Sequence, residues 1–345
     1  MTEANMLSSE FHNLVKWNGK EKPFYEVYYL KVNEPTLGTA LWLRYTFLSP
    51  AIPKRRGGPL RPPDLGGDRA PPLQTTNPTA SVWAIFFNAR RPEKNIALKE
   101  TIPVSEAIYH RGDLYLNFGG AILKNDEASG VLKDGSANIS WNLKWIPSDA
   151  PFRHYPFPFY YLPWPKSKVV APNLSVPASG WFEVNGVKYP LNGAKLHQGH
   201  VWGRGYSKNW AWANCGVFNE DQSAVLELLM KPPFGTGLFK TSDGSSRLLV
   251  QGRYNADGWN FIGKGLNIRV KGQIAARHED IIGVTYQDPS GGERYCYNTK
   301  VADAVVDIYK RKGLGWRRDR RLISNGTTAF EMVDSRPLAG YSLVL

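Results

Sequence analysis

The sequence predicts an all-β protein built as two antiparallel β-barrels lying side by side, and three observations carry that expectation. Runs of aromatic and β-branched residues recur along the whole chain, while helical periodicity is nearly absent. The 345 residues include 12 Trp and 17 Tyr, side chains that suit a pleated, half-buried surface. Gly (33) and Pro (25) punctuate the runs without a collagen-like period. Short strands at this spacing mean sandwiches or barrels, and a chain this long is expected to divide in two.

In order, FYEVYYLKV (24–32), TALWLRYTFL (39–48), SVWAIFF (81–87), DLYLNF (113–118) and ANISWNLKWI (137–146) read as strands of a first barrel, residues 1–165. The stretch 150–180 follows with seven Pro, each fixing φ and withholding a donor. Most of it is therefore expected to be a connector and not a central strand. Its rings, Phe157, Phe159, Tyr160, Tyr161 and Trp164, either pack on the interface between the barrels or roof a cavity. The second barrel, residues 166–345, opens with WFEVNGVKYPL, in which Asn185-Gly186 between alternating strands is a strong hairpin signal. AVLELLM, RLLVQGRY, WNFIGKGLNIRV, DIIGVTY, ERYCYNT, ADAVVDIY, RLIS and AFEMV complete it, with Asp257-Gly258 as a further turn.

Composition narrows the function. MTEANMLSSE has no signal-peptide pattern, and no apolar run approaches the ~18–20 residues that span a bilayer, so a soluble cytoplasmic protein is expected. Cys215 and Cys296 have no metal-ligand spacing and are expected as buried free thiols. The six His (12, 110, 154, 197, 200 and 278) are scattered, and no metal is expected. No nucleophile elbow, phosphate loop, dinucleotide fingerprint or zincin motif occurs, so no cofactor is expected either. The net charge of +13 is largely local. Lys54 to Arg69 carries five basic residues against two Asp and reads as a Pro/Gly-rich surface loop. Lys310 to Arg321 carries seven against one and reads as a two-strand turn around Gly313–Gly315. Nucleic acid is not an expected partner. Transient contact with an anionic membrane surface stays open beside plain solubility.

The chemistry-bearing stretch is GHVWGRGYSKNWAWANCGVF, residues 199–218. In an extended chain His200, Trp202 and Arg204 share one face, backed by Val201, Gly203 and Gly205. Trp210, Trp212 and Asn214 likewise share a face, opposite Ala211, Ala213 and Cys215. The large polar and aromatic face is expected to line a ligand cavity. Upstream, Glu26 and Tyr28 alternate against Tyr25 and Val27, while Trp42 and Arg44 alternate against Leu41 and Leu43. Glu26 and Arg44 look like a partly buried pair, either structural or leaving Glu26 as a usable acid. His200 is either a satisfied core histidine or a proton-transfer group beside the aromatic wall of Trp202.

At these residues the chain resembles the superfamily that groups tocopherol cyclase, carotenoid hydratase (hydroxyneurosporene synthase), AttH-like proteins and lipocalin-like Diels–Alderases. The features that carry the resemblance are FYEVYYLK, ALWLRYTF, GHVWGRGYSKNWAWANCGVF and CYNTKVADAVV. It implies two consecutive lipocalin-like barrels with a hydrophobic ligand, and cofactor-free cyclisation, hydration or pericyclic closure of an isoprenoid, polyene or polyketide skeleton. His200 and Trp202 match the family's His-x-Trp element, and Glu26 its N-terminal signature Glu. The chain departs from the hydratase pattern downstream, where no Tyr-x-Asp counterpart occurs and Val225 to Met230 offers only Glu227. On this reading His200 or Glu26 moves the proton, and Trp202, Trp210 and Trp212 pack against developing positive charge. Tyr28, Trp42, Arg44, Arg204 and Asn214 hold the substrate. A lipid or pigment carrier would use the same cavity, with His200 and Glu26 structural. The enzyme reading predicts that His200→Ala and Trp202→Ala spare folding far more than activity.

Overall fold

The computed structural model describes residues 8–52, 77–148 and 150–345, so the basic stretch 54–69 lies outside the described residues. A short helix, α1 (Ser9–Asn13), precedes the first strand. The first sheet begins with a meander of β1 (Phe24–Glu34), β2 (Thr39–Ser49), β3 (Thr79–Asn88) and β4 (Ile96–Pro103). Next come β5 (Ile108–Tyr109), β6 (Tyr115–Phe118), β7 (Ala121–Lys124), β8 (Glu127–Asp134) and β9 (Ala137–Trp145). It is completed by β10 (Phe152–Arg153), β11 (Ser167–Val184), β12 (Val187–Pro190) and β13 (Lys195–Gly203). The order is β4-β3-β2-β1-β13-β11-β9-β8-β7-β6-β5, with β10 and β12 paired to β11.

The second sheet contains β14 (Trp210–Cys215), β15 (Val225–Lys231), β16 (Phe234–Thr241), β17 (Gly244–Asn255) and β18 (Gly258–Lys264). It ends with β19 (Ile268–Ala275), β20 (Ile282–Gln287), β21 (Glu293–Lys312) and β22 (Gly315–Asp334). Its order is β19-β18-β17-β16-β15-β14-β22-β21-β20, and a further pairing of β19 with β21 closes an eight-stranded barrel. The all-β double-barrel architecture is therefore present, with the first unit an open half-barrel. Pro103, which has no N–H to donate, ends β4. A 3-10 turn then leads to the two-residue β5, which pairs with β6 and leaves the sheet unclosed.

Two expectations need correction. The division at 165/166 cuts through the first sheet, because β11 and β13 belong to it and the changeover falls at 204–209. The proline-rich stretch is a connector only in its first half. From Ser167 it is an 18-residue central strand paired with both β13 and β9. Pro172 falls where the β11–β13 register shifts between Val170 and Asn173, so its missing N–H interrupts no regular ladder.

Strands β1, β2 and β3 are buried on both faces, which accounts for their nearly unbroken apolar sequence. One face, with Tyr28, Leu30, Leu43, Tyr45 and Phe86, fills the half-barrel. The other, with Trp42, Trp83, Ile85 and Phe87, packs against Trp210, Trp212, Leu229 and Val284 of the second sheet. The barrel has its own core around Trp259, Phe261, Tyr297 and Phe330. Cys215 and Cys296 are buried free thiols. The β21–β22 turn pairs Lys312 with Gly315, and much of its charge is met locally. Arg318 and Arg321 hold Asp307, while Lys310 reaches Asp319 and Arg320 reaches Asp221. No helix among the described residues is long and apolar enough to cross a membrane.

Gly199 shows how tightly β13 meets β1. It lies opposite Tyr29, and a Cβ built there would sit 2.0 Å from Tyr29 Cζ. Gly199→Ala is therefore expected to displace the Tyr29 ring and cost about 1–3 kcal/mol. A urea midpoint equal to that of the wild-type chain would show that the ring moves without cost.

Candidate functional site

His200 and Glu26 come together on the half-barrel side of β1 and β13. His200 Nε2 lies 2.8 Å from Glu26 Oε1, and Nδ1 donates to the carbonyl of His12 at 2.6 Å. Glu26 also accepts from the backbone N–H groups of Lys16 (2.8 Å) and Trp17 (2.7 Å) and from the Tyr28 hydroxyl (2.9 Å). Both side chains are fully buried. The pair thus anchors residues 12–17, which would otherwise bury backbone donors without acceptors. Tyr28 stacks on the His200 ring at 4.1 Å, and Trp202 packs against it tilted, at 4.6 Å. Arg204 projects to the surface, where it pairs with Glu21 at 2.7 Å.

The cavity lies on the opposite face, between the two sheets. A narrow inner slot of about 70 Å³ is walled by Tyr25, Tyr29, Trp42, Trp210, Trp212 and Tyr286. Arg44 lines it without a carboxylate partner among the described residues. Its Nη2 donates to the Tyr206 hydroxyl at 3.0 Å, and its guanidinium lies 4.1 Å from the Tyr286 ring centre. Glu331 lines the slot as well and accepts from Trp210 Nε1 at 3.0 Å. The slot adjoins an outer chamber of about 540 Å³, and Ser167, Tyr206, Ser207, Leu229 and Lys231 line both. Tyr155, Phe159 and Trp164 wall the chamber, so part of the aromatic connector does roof a cavity. Phe157 and Tyr161 are instead exposed, and the Tyr160 hydroxyl donates to the Val169 carbonyl at 2.6 Å.

Behind both cavities sits Glu227, completely buried on β15. Its Oε1 accepts from Trp212 Nε1 at 2.7 Å and lies 3.3 Å from His154 Nε2. Its Oε2 accepts from Asn214 Nδ2 at 3.0 Å, with His197 Nδ1 at 3.8 Å. Burial would raise this carboxyl, but His197, His154 and Trp212 outweigh it and hold it below its ordinary value. His154 also reaches forward, its Nδ1 2.9 Å from the hydroxyl of Thr236. Both His154 and Thr236 line the outer chamber. The result is a hydrogen-bonded chain, Glu227–His154–Thr236, running from a buried charge to a cavity wall.

Of the residues expected from the sequence, Trp42, Arg44, Trp210 and Trp212 line the slot. Asn214 stands behind it, bridging Glu227, the Leu174 carbonyl and Lys31 Nζ. Glu26, Tyr28, His200, Trp202 and Arg204 lie on the other side of the sheet. The face assignment on β1 and β13 was inverted, because alternation separates two faces without saying which one meets an empty space. On these two strands the small Val27 and Val201 line the cavity. Glu26 does not pair with Arg44. His154, Thr236, Lys231, Tyr25, Tyr206 and Tyr286 were missed. Glu227 was seen only as a lone acid in an apolar run, although a carboxylate in such a run is itself a signal of a buried, partnered charge. Among the described residues no cluster of three His, Cys, Asp or Glu has the geometry to hold a metal.

A family model described as tocopherol cyclase-like matches residues 165–228, the segment holding β11, β13, β14 and the start of β15. The uncharacterized protein Rv0493c of Mycobacterium tuberculosis is 21% identical over 321 residues, covering 86% of this chain and 84% of that protein. The crystal structure of an AttH candidate from Nitrosomonas europaea aligns over 93% of this chain and 98% of its own, with 9% identity and a TM-score of 0.51. A structure of CghA aligns over 93% and 91% of the two chains, with 9% identity and a TM-score of 0.49. The chain therefore resembles the tocopherol cyclase-like family in residues 165–228 and shares its overall fold with the AttH candidate.

His200→Ala strands a buried carboxylate, so it is expected to cost about 3–5 kcal/mol of stability. This reverses the expectation that the substitution would spare folding, and equilibrium urea denaturation checks it; a midpoint within error of wild type would refute the anchoring role. A second expectation concerns pH. Burial, aided by nearby cations, pushes His197 and His12 down from 6.5 to about 4. Each is held neutral in the fold but takes up a proton freely once unfolded. Their contribution is complete above pH 6.5 and is lost as pH falls towards 4. The lowered carboxyl of Glu227 adds a loss in the same direction at lower pH. The urea midpoint should fall steadily across that window, and a flat profile would contradict the assignment.

Proposed function

We propose that this protein is a cyclase-like enzyme that folds a hydrophobic isoprenoid, polyene or polyketide-type substrate in the cleft between its sheets. Proton transfer would be carried by its own side chains. The observation behind this reading is the junction of an aromatic slot with a chamber whose wall carries the Glu227–His154–Thr236 chain. A chamber of about 540 Å³ is the size of a small-molecule site. Holding a flexible chain in one reactive conformer removes much of the entropic barrier to ring closure. The faces of Trp42, Trp210 and Trp212 favour positive charge that develops nearby.

In the resting protein burial lowers His154 from its ordinary value despite the neighbouring carboxylate, so the ring serves first as a base. Its Nδ1 takes the Thr236 proton as that hydroxyl takes one from an acidic group of the substrate. The Glu227 carboxylate stabilises the imidazolium through Nε2. Returning the proton to the carbon skeleton completes ring closure and restores the resting state. The net reaction is an isomerisation in which the enzyme keeps no atom.

A carrier would use the same cleft, and the set of protein groups that satisfies Glu227 (Trp212, Asn214, His154 and His197) favours it. Extraction of whatever co-purifies, followed by re-incubation with fresh protein, separates the two readings. An enzyme converts the extracted compound or its precursor to a product of equal mass and altered chromatographic retention. His154→Gln should slow that conversion by about 10²–10⁴-fold while leaving binding within a few-fold. A ligand returned unchanged by wild type, and equally by the variant, would overturn the enzyme reading.

A further inference from the structure

Among the described residues Lys31, Lys168 and Lys300 are buried and Lys231 is half-buried, and their surroundings differ; Lys168 Nζ donates to the Leu162 carbonyl at 2.8 Å. Lys31 Nζ donates to Asn214 Oδ1 at 2.9 Å. Lys300 Nζ donates to Asn298 Oδ1 at 2.8 Å and lies 4.6 Å from the Trp42 ring centre. Both are sealed in the sheet interface, 1% and 0% exposed, and line neither slot nor chamber. Lys231, at the end of β15, lines both and stands at the neck between them. Its ammonium reaches only hydroxyls, Tyr155 at 3.2 Å and Ser167 at 3.4 Å. No carboxylate pairs with it among the described residues. Ser167 Oγ lies in turn 2.6 Å from the Tyr25 hydroxyl.

A cation whose only role was structural would be expected to gain a carboxylate or a set of carbonyls on burial. Lys231 has instead two hydroxyls, an apolar chamber on one side and an aromatic slot on the other. Such surroundings favour the uncharged amine, which is the nucleophilic form. Burial accordingly lowers its pKa to about 8.

Resting on the cleft reading above, we propose that Lys231 is a carbonyl-capturing amine and that the substrate is an apolar aldehyde or ketone held as an imine. The Nζ lone pair adds to the carbonyl carbon, the carbonyl oxygen takes a proton from the Tyr155 or Ser167 hydroxyl, and that hydroxyl is restored by a proton from the new ammonium nitrogen to give a neutral carbinolamine. Loss of that oxygen as water forms the C=N bond. An iminium at the end of a conjugated chain withdraws electrons from it and favours closure on the cleft side. Addition of water then reverses the sequence, releasing the product carbonyl and the free amine. No external oxidant or reductant is needed.

The test uses citral, an acyclic isoprenoid aldehyde, with cyanoborohydride to reduce any imine to a stable secondary amine. At low molar excess the intact mass should rise by one reduced citral adduct, and peptide mapping should place it on Lys231. Lys231→Met should lose that adduct, and Ser167→Ala and Tyr155→Phe, which keep the amine, should each slow trapping about tenfold. Adducts spread over exposed lysines with Lys231 unmodified would overturn the proposal, as would undiminished single labelling of Lys231→Met. Geraniol, the corresponding alcohol, cannot form an imine and reports the cleft alone in native mass spectrometry. Retained geraniol binding with no trapping at Lys231 removes the imine and leaves the cleft reading intact; loss of both removes the cleft reading too.

Discussion

The arrangement of the two sheets depends on one buried charge. Glu227 carries a carboxylate into the interface, where an uncompensated ion would cost several kcal/mol. Compensation is gathered from every side: Trp212 and Asn214 from β14, His197 from β13, and His154 from just beyond β10. Satisfying it fixes where β13 lies against β14, and so how the half-barrel meets the barrel. It also pins the start of the proline-rich connector, whose Tyr155, Phe159 and Trp164 then wall the chamber. The polar cluster and the apolar cavity are consequences of the same constraint.

The protein uses the His–Glu pair twice, with opposite effects. At Glu26 the outer nitrogen of His200 meets the His12 carbonyl, which can only accept. That holds a proton on Nδ1 and leaves the ring no partner that could donate to it from outside. At Glu227 the outer nitrogen of His154 meets the Thr236 hydroxyl, which can donate or accept and which faces open space. A proton can cross the second pair but not the first. The two sites differ by a single acceptor type, and that difference separates an anchor from a relay.

Fold and site were legible to different depths. Aromatic alternation, scarce helical periodicity and the Asn185-Gly186 turn carried the all-β architecture, and both turn residues do adopt positive φ. The long β11 was obscured because Pro172 is compatible with a central strand only at a register shift, which a sequence does not display. Within the 199–218 stretch Trp210 and Trp212 reach the slot, as the face pattern of that segment led one to expect. Yet the orientation of β1 and β13 depends on what packs against each face, here residues 12–17 on one side and the barrel on the other. That information lies in contacts across more than a hundred residues, such as Glu26 with His200 and Asn13 with Gln198. His154 and Thr236 were invisible for the same reason, being separated from each other by 82 positions.

The dimensions of the cleft order its parts. The slot, at about 70 Å³, can admit only the tip of a substrate, whereas the chamber, at about 540 Å³, can hold its body. A long apolar molecule seated in both must therefore cross the neck. The polar groups are distributed accordingly, with Arg44 and Glu331 in the slot, Lys231 and Ser167 at the neck, and Thr236 on the chamber wall. An apolar chain gains little from any of these groups singly, since each is already hydrogen-bonded within the protein. For a molecule so seated they would provide position along its length: a fixed tip, a fixed crossing point and a hydroxyl farther out. On the cleft reading proposed above, bond formation would fall between the neck and Thr236, where the walls are aromatic and proline-rich with Lys166 beside them.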